Sequence, residues 1–123
     1  MEKSLIQPVN LCRFGEDEAC KFLKKQKLKI LDRNYRVPSG EIDIVAAAAK
    51  TVIFIEVKTR TSSRFAQPWE AVGFRKRKNI KAAARSYVLE HSLNDREFRF
   101  DVISIVVDGA FKANIEWIQR AFE

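Results

Sequence analysis

The sequence predicts one α/β domain built around a mixed sheet, and two observations carry that expectation. Three β-rich runs, "KILDRNYRV" at 29–37, Glu41 to Ala46 and Val52 to Thr59, follow one another across short turn segments. Consecutive strands joined this way pair antiparallel. A helical pattern from Arg75 to Glu90 then separates the third run from a fourth, Phe98 to Val107, and a helical connection of that length permits a parallel crossover. The result is an antiparallel three-strand meander plus a crossover strand, flanked by helices.

The individual elements follow from local chemistry. Residues 1–13 read as a loosely ordered leader ahead of a single domain, 14–123. Phe14 to Lys27 reads as the first helix, with Ala19, Cys20, Phe22 and Leu23 as its apolar stripe. "PSG" at 38–40 is turn chemistry. Alanine favours helix, but the four alanines at 46–49 lie between two β-branched runs and serve as a strand end and turn. "SSRFAQP" at 62–68 is a loop, and "WEAV" begins a helical segment. In the 75–90 helix, Ile80, Ala84, Tyr87 and Val88 form the buried stripe. Asn114 to Ile118 is a short fifth strand.

Composition narrows the function classes. A chain of 123 residues, 46% hydrophobic and 32% charged, can bury a core and is neither disordered nor membrane-like. No apolar run approaches the roughly 20 residues of a spanning helix, and the N-terminus lacks a secretory pattern, so a cytoplasmic location is expected. Cys12 and Cys20 lack metal-site or disulfide-framework spacing. His91 is the only histidine, lies on the apolar side of its helix and reads as structural. The scattered glycines build no phosphate loop. The net charge of +7 favours a polyanionic partner.

Against this background the stretch from Gly40 to Arg60 stands out, because Glu41, Asp43 and Glu56 interrupt its β-branched runs. Side chains alternate faces along a strand. Glu41, Asp43 and Val45 should therefore share one face, as should Phe54, Glu56 and Lys58. A hairpin folded about Ala49 and Lys50 sets Asp43 opposite Glu56, where Cβ atoms stand about 5 Å apart. Opposed like charges are costly. Lys58 could neutralise one acid, or a divalent cation both; Mg²⁺ takes hard oxygen ligands of this kind. Glu16 falls near the centre of the first helix's apolar stripe and so faces the sheet, although a first-turn glutamate could equally help to cap its helix. In the second long helix Arg77, Lys81 and Arg85 recur at intervals of one helical turn, a stripe suited to phosphates. Trp69 reads as a packing residue, and Glu70 could orient a lysine.

"FGEDEAC", "NYRVPSGEIDIV", "FIEVKTR", "EAV" before a basic helix, and "FRFDVISI" together resemble the YraN family of small bacterial proteins. That family is similar to the restriction-endonuclease-like superfamily and, within it, to archaeal Holliday junction resolvases. The resemblance spans about residues 10–119. It departs from the family in a longer leader and in the alanine-rich turn after the second strand.

The resemblance implies a restriction-endonuclease-like fold and a D…E-x-K nuclease site. Asp43, Glu56 and Lys58 match that pattern, and Glu16 matches the helix acid. Mg²⁺ or Mn²⁺ would be held by Asp43, Glu56 and Glu16, with Lys58 near the attacking water or the phosphorus. Arg60, Arg64, Arg77, Lys78, Lys81 and Arg85 would hold nucleic acid. The implied activity is metal-dependent endonuclease cleavage of DNA, branched or otherwise structured, by a monomer or homodimer. Two other readings stay open: a non-catalytic nucleic-acid-binding module of the same fold, and an interaction protein whose basic helix meets an acidic partner.

Overall fold

A computed structural model of the chain describes residues 8–61, 73–110 and 112–123. The elements are α1 (Pro8–Lys25), β1 (Lys29–Val37), β2 (Gly40–Ala48), β3 (Thr51–Arg60), α2 (Phe74–Glu90), β4 (Glu97–Val107) and β5 (Ala113–Phe122). The strands form one sheet in chain order. Every neighbouring pair is antiparallel except β3 and β4, which run parallel across the α2 connection. This is the expected mixed sheet between helices, and it is consistent with a restriction-endonuclease-like fold. "WEAV" lies outside the described residues.

The β2–β3 hairpin turns at Ala49 and Lys50, as the sequence suggests. Ala48 pairs with Thr51, and Ala49 takes a left-handed φ of 54°, which costs an alanine about 1–2 kcal/mol. The Glu97 amide donates to the Lys50 carbonyl at 3.1 Å, so the start of β4 pins this turn. Strand β3 is buried on both faces from Val52 to Glu56, as its continuous apolar run requires. Ile53 and Ile55 pack beneath α1 with Ala19, Leu23 and Ile44. Phe54 packs beneath α2 with Ile80, Ala83, Ala84 and Tyr87. Ala83 completes the inner stripe of α2, and Val88 is only half-buried.

Two glycines let the helices close on the sheet. A Cβ at Gly15 would collide with the Thr59 Oγ1, and one at Gly40 with the backbone carbonyl of Asn79. Gly15 therefore sets α1 against β3, and Gly40 sets α2 against the β1–β2 turn. At the other end of α2, the Tyr35 hydroxyl donates to Glu90 at 2.8 Å.

The helix α1 begins at Pro8, ahead of the expected Phe14. Proline is favoured at a first helical position, where its missing N–H is not needed, and Leu11 and Phe14 extend the stripe that packs on the core. Strand β5 is longer than the expected Asn114 to Ile118 because it contains an irregularity. Its register with β4 shifts between Phe100 and Val102, and Arg120 adopts a φ of 53°.

A buried aspartate holds that irregularity. Asp101 is 0% exposed and accepts hydrogen bonds from the Arg120 amide at 3.0 Å, the Trp117 Nε1 at 2.8 Å and the Arg99 guanidinium at 2.9 and 3.0 Å. Removing it would leave the Arg99 charge unpaired in a largely buried position. Asp101→Ala is expected to destabilise the fold by about 3–5 kcal/mol, the cost typical of breaking a buried pair, read from chemical denaturation. A loss under about 1 kcal/mol would mean that solvent replaces the carboxylate.

Candidate active site

The β2–β3 ladder runs from Ala48↔Thr51 to Ile44↔Ile55 and stops there. Asp43 and Glu56 are the next residues in that register, so the expected opposition is present. Main-chain pairing gives way to a side chain: the Val57 amide donates to Asp43 Oδ2 at 2.8 Å. Strict alternation fails at this point. Ile44 packs under α1, whereas Ile42, two residues away, joins Val45 under α2. The neighbouring strand shows the matching distortion, with Asn34 at φ 54° between the pairs Arg33↔Ile44 and Tyr35↔Ile42. Here β2 is locally rotated, and the Asp43 carboxyl reaches across the gap to β3.

Glu56 is 4% exposed and hydrogen-bonds with the Asp43 carboxyl. Burial first, then the charges of Glu56 and Glu16, push the Asp43 pKa up to about 8, against the opposing pull of the Val57 amide. The two acids therefore resist ionising together and tend to share a proton. Its counter-cation is Lys76 of α2, whose Nζ lies 2.8 Å from Glu56 Oε2. Burial works against the Lys76 charge, but the hydrogen bond and charge of Glu56 outweigh it and raise the Lys76 pKa above its ordinary value.

The other expected site residues are placed as follows. Glu16 of α1 is felt electrostatically at Asp43, yet its carboxylate is 3.8 Å from the Arg33 guanidinium, which binds Asp17 more closely at 2.8 Å. Among the described residues, no three acidic, histidine or cysteine side chains cluster closely enough to hold one ion. Lys58 is half-buried near the end of β3, and no ion pair among the described residues joins it to these acids. Lys76 stands beside Glu56 instead. A sequence signal for this existed: Lys76 lies one turn before Ile80, on the line that continues through Ala83, Ala84 and Tyr87, and a lysine on a buried helical stripe needs an anionic partner.

The basic residues of α2 divide between two flanks of the helix. Lys81 and Arg85 border a groove of about 280 Å³ with Phe54, Phe98 and Phe100. Arg75 and Lys76 border a cavity of about 560 Å³ beside the β1–β2 turn. Arg77 and Lys78 are exposed, and Arg60 is half-buried at the end of β3. Arg64, Trp69 and Glu70 lie outside the described residues. His91 is exposed rather than on the apolar side of α2. It closes the helix, stacking on Tyr87 with ring centroids 3.9 Å apart and its Nδ1 3.0 Å from the Tyr87 carbonyl.

Residues 15–105 match the profile of the family described as "Uncharacterised protein family UPF0102". The chain belongs to UPF0102, the family also called YraN. A UPF0102 protein of Syntrophotalea carbinolica is 44% identical over 117 residues, covering 95% of this chain and 94% of its own. One from Clostridioides difficile is 41% identical over 109 residues, covering 89% and 93%. One from Caldicellulosiruptor bescii is 46% identical over 98 residues, covering 79% and 82%. The matched region of this UPF0102 chain includes Glu16, Asp43, Glu56, Lys58 and Lys76. No described helix is long and apolar enough to cross a membrane.

The raised Asp43 pKa fixes a pH dependence. The folded protein holds a proton that the unfolded chain releases near the ordinary value of 3.8. The associated stability is fully present below that pH and is lost as pH rises through about 8. Asparagine at 43 keeps both a donor and an acceptor, so Asp43→Asn is expected to flatten this part of the metal-free stability curve. Denaturant unfolding at about pH 5 and about pH 9 measures the difference, and an unchanged slope would assign the titration to another group.

Proposed function

We propose that this UPF0102 protein is a divalent-metal-dependent phosphodiesterase acting on DNA. The observation that carries the reading is the meeting of Asp43 and the buried Glu56 where the β2–β3 ladder ends, with the Asp43 carboxyl held across the gap by the Val57 amide. The donor set fits Mg²⁺ or Mn²⁺, since it consists of hard carboxylate oxygens in a place where a cation would relieve their repulsion. Asp43 and Glu56 would hold the ion, with Glu16 adding negative charge from α1. When bound, such an ion supplies Lewis acidity and a more acidic water.

The protein's own groups do the rest. The Val57 amide fixes the Asp43 carboxyl across the strand gap. Lys58, two residues beyond Glu56, would place positive charge near the phosphorus or the attacking water, where negative charge develops. Arg60, Arg64, Arg77, Lys78, Lys81 and Arg85 would neutralise DNA phosphates. Branched or structured DNA is the preferred substrate, on the resemblance to junction resolvases, and symmetrical cutting of a junction would require two copies of the chain. This reading places the protein in the cytoplasm. The 2.8 Å Lys76–Glu56 pair also fits a second reading, a DNA-binding module in which the acids are only structural partners.

A cleavage panel of duplex, single-stranded, flap and four-way DNA, with Mg²⁺ or Mn²⁺ and an EDTA control, separates the two. Glu56→Gln is expected to reduce cleavage by about two orders of magnitude or more, as removal of one charge-handling group does. Metal should raise the melting temperature of the wild type and not of Glu56→Gln. No cleavage of any substrate together with no metal-dependent shift would favour the binding module.

The basic helix is tested separately. Replacing Arg77, Lys81 and Arg85 by alanine should weaken DNA binding and lower its salt slope by about 0.9 for each duplex phosphate no longer neutralised. Unchanged affinity and slope would turn this face toward another partner.

A further inference from the structure

We propose that the cavity between the β1–β2 turn and the start of α2 is a phosphate site for the DNA strand next to the acid pair, and that Lys76 is shared between the two. The cavity holds about 560 Å³, room for a sugar-phosphate unit rather than a lone ion. Arg36, Arg75 and Lys76 bring three cations to its wall against one acid, Glu41, and Ser39 and Asn79 add neutral polar groups. Glu41 is already engaged with Arg36 at 3.1 Å, and both side chains are exposed. Such an exposed pair contributes little and yields readily to a phosphate. Among the described residues, Arg75 forms no ion pair.

The cavity's position gives it a role. Gly40 is in its wall, where the absence of a Cβ lets the α2 backbone close against the turn. Glu41 stands two residues before Asp43, about 7 Å along the strand. Lys76 lines the cavity while its Nζ touches Glu56. A strand crossing the acid pair would thus find its neighbouring phosphate among Arg36, Arg75 and Lys76. Lysine carries a compact charge on a flexible stem, so Lys76 can neutralise Glu56 while the site is empty and turn to the phosphate when another cation occupies the acids. This exchange rests on the metal-dependent reading above; the phosphate site itself does not.

The test measures binding without metal. Fluorescence anisotropy of a labelled DNA duplex in EDTA is followed across salt concentrations for Arg36→Ala/Arg75→Ala and for Lys24→Ala/Lys25→Ala. The second variant removes the same charge from exposed positions at the far end of α1. The cavity variant should bind roughly tenfold or more weakly, with a salt slope shallower by about 0.9 per phosphate released, while the control keeps the wild-type slope. Equal losses in the two variants would overturn the site and leave only a diffuse basic field. For Lys76, calorimetry with Mn²⁺ on Lys76→Gln reads the exchange: without its internal competitor Glu56 should bind Mn²⁺ about tenfold more tightly. Unchanged or weaker Mn²⁺ binding by a folded variant would overturn the sharing. Neither measurement depends on cleavage, so failure of the nuclease reading and failure of the cavity are distinguishable.

Discussion

A carboxyl pair that cannot comfortably ionise together governs the middle of this protein. Asp43 and Glu56 meet where the β2–β3 ladder ends, and the surroundings relieve only part of the repulsion. The Val57 amide fixes one acid, and Lys76 neutralises the other. Lys76 can do so because Gly40 allows α2 to lie against the β1–β2 turn. On the opposite face Gly15 draws α1 onto β3 and brings the charge of Glu16 within range of Asp43. The close approach of both helices thus determines the electrostatics of a gap between two strands.

The contrast with Asp101 shows what separates a supporting acid from a strained one. Both are aspartates within the sheet. Asp101 is surrounded by donors, from Arg99, Trp117 and the Arg120 amide, and its burial is compensated inside the protein. Asp43 has one amide donor and acidic neighbours at positions 56 and 16. A buried acid whose charged form lacks compensation inside the protein marks a place where something from outside could complete the balance.

Much of this was legible in the sequence, for a physical reason. The turn at Ala49 and Lys50 sets the β2–β3 register, and register sets which residues oppose one another, so Asp43 could be matched with Glu56 from the residue order alone. The β3–β4 crossover followed from one long helix between two apolar runs. What escaped were departures from ideal periodicity. Alternation cannot reveal that Ile42 and Ile44 pack on different faces, because the left-handed Asn34 and the rotation of β2 belong to the strand pair rather than to either strand. The end of β5 was missed because Arg120 and Gln119 have no strand pattern without Asp101 to hold them. Lys76 was concealed among other cations, and only its phase relative to Ile80 distinguished it. Lys58 has the expected spacing, but among the described residues it is Lys76, not Lys58, that pairs with Glu56.

The distorted strands also lie at the two open margins of the sheet. An exposed margin normally offers a row of free amides and carbonyls on which another chain can zip. Here β1 is bent by its irregularity between Ile30 and Asp32 and by the left-handed Asn34, and its Arg33 and Arg36 are exposed. Strand β5 is bent at Arg120 and presents Glu116 and Gln119. Neither margin is a flat template. The same distortions that shape the interior therefore make both margins poor templates for strand-by-strand pairing.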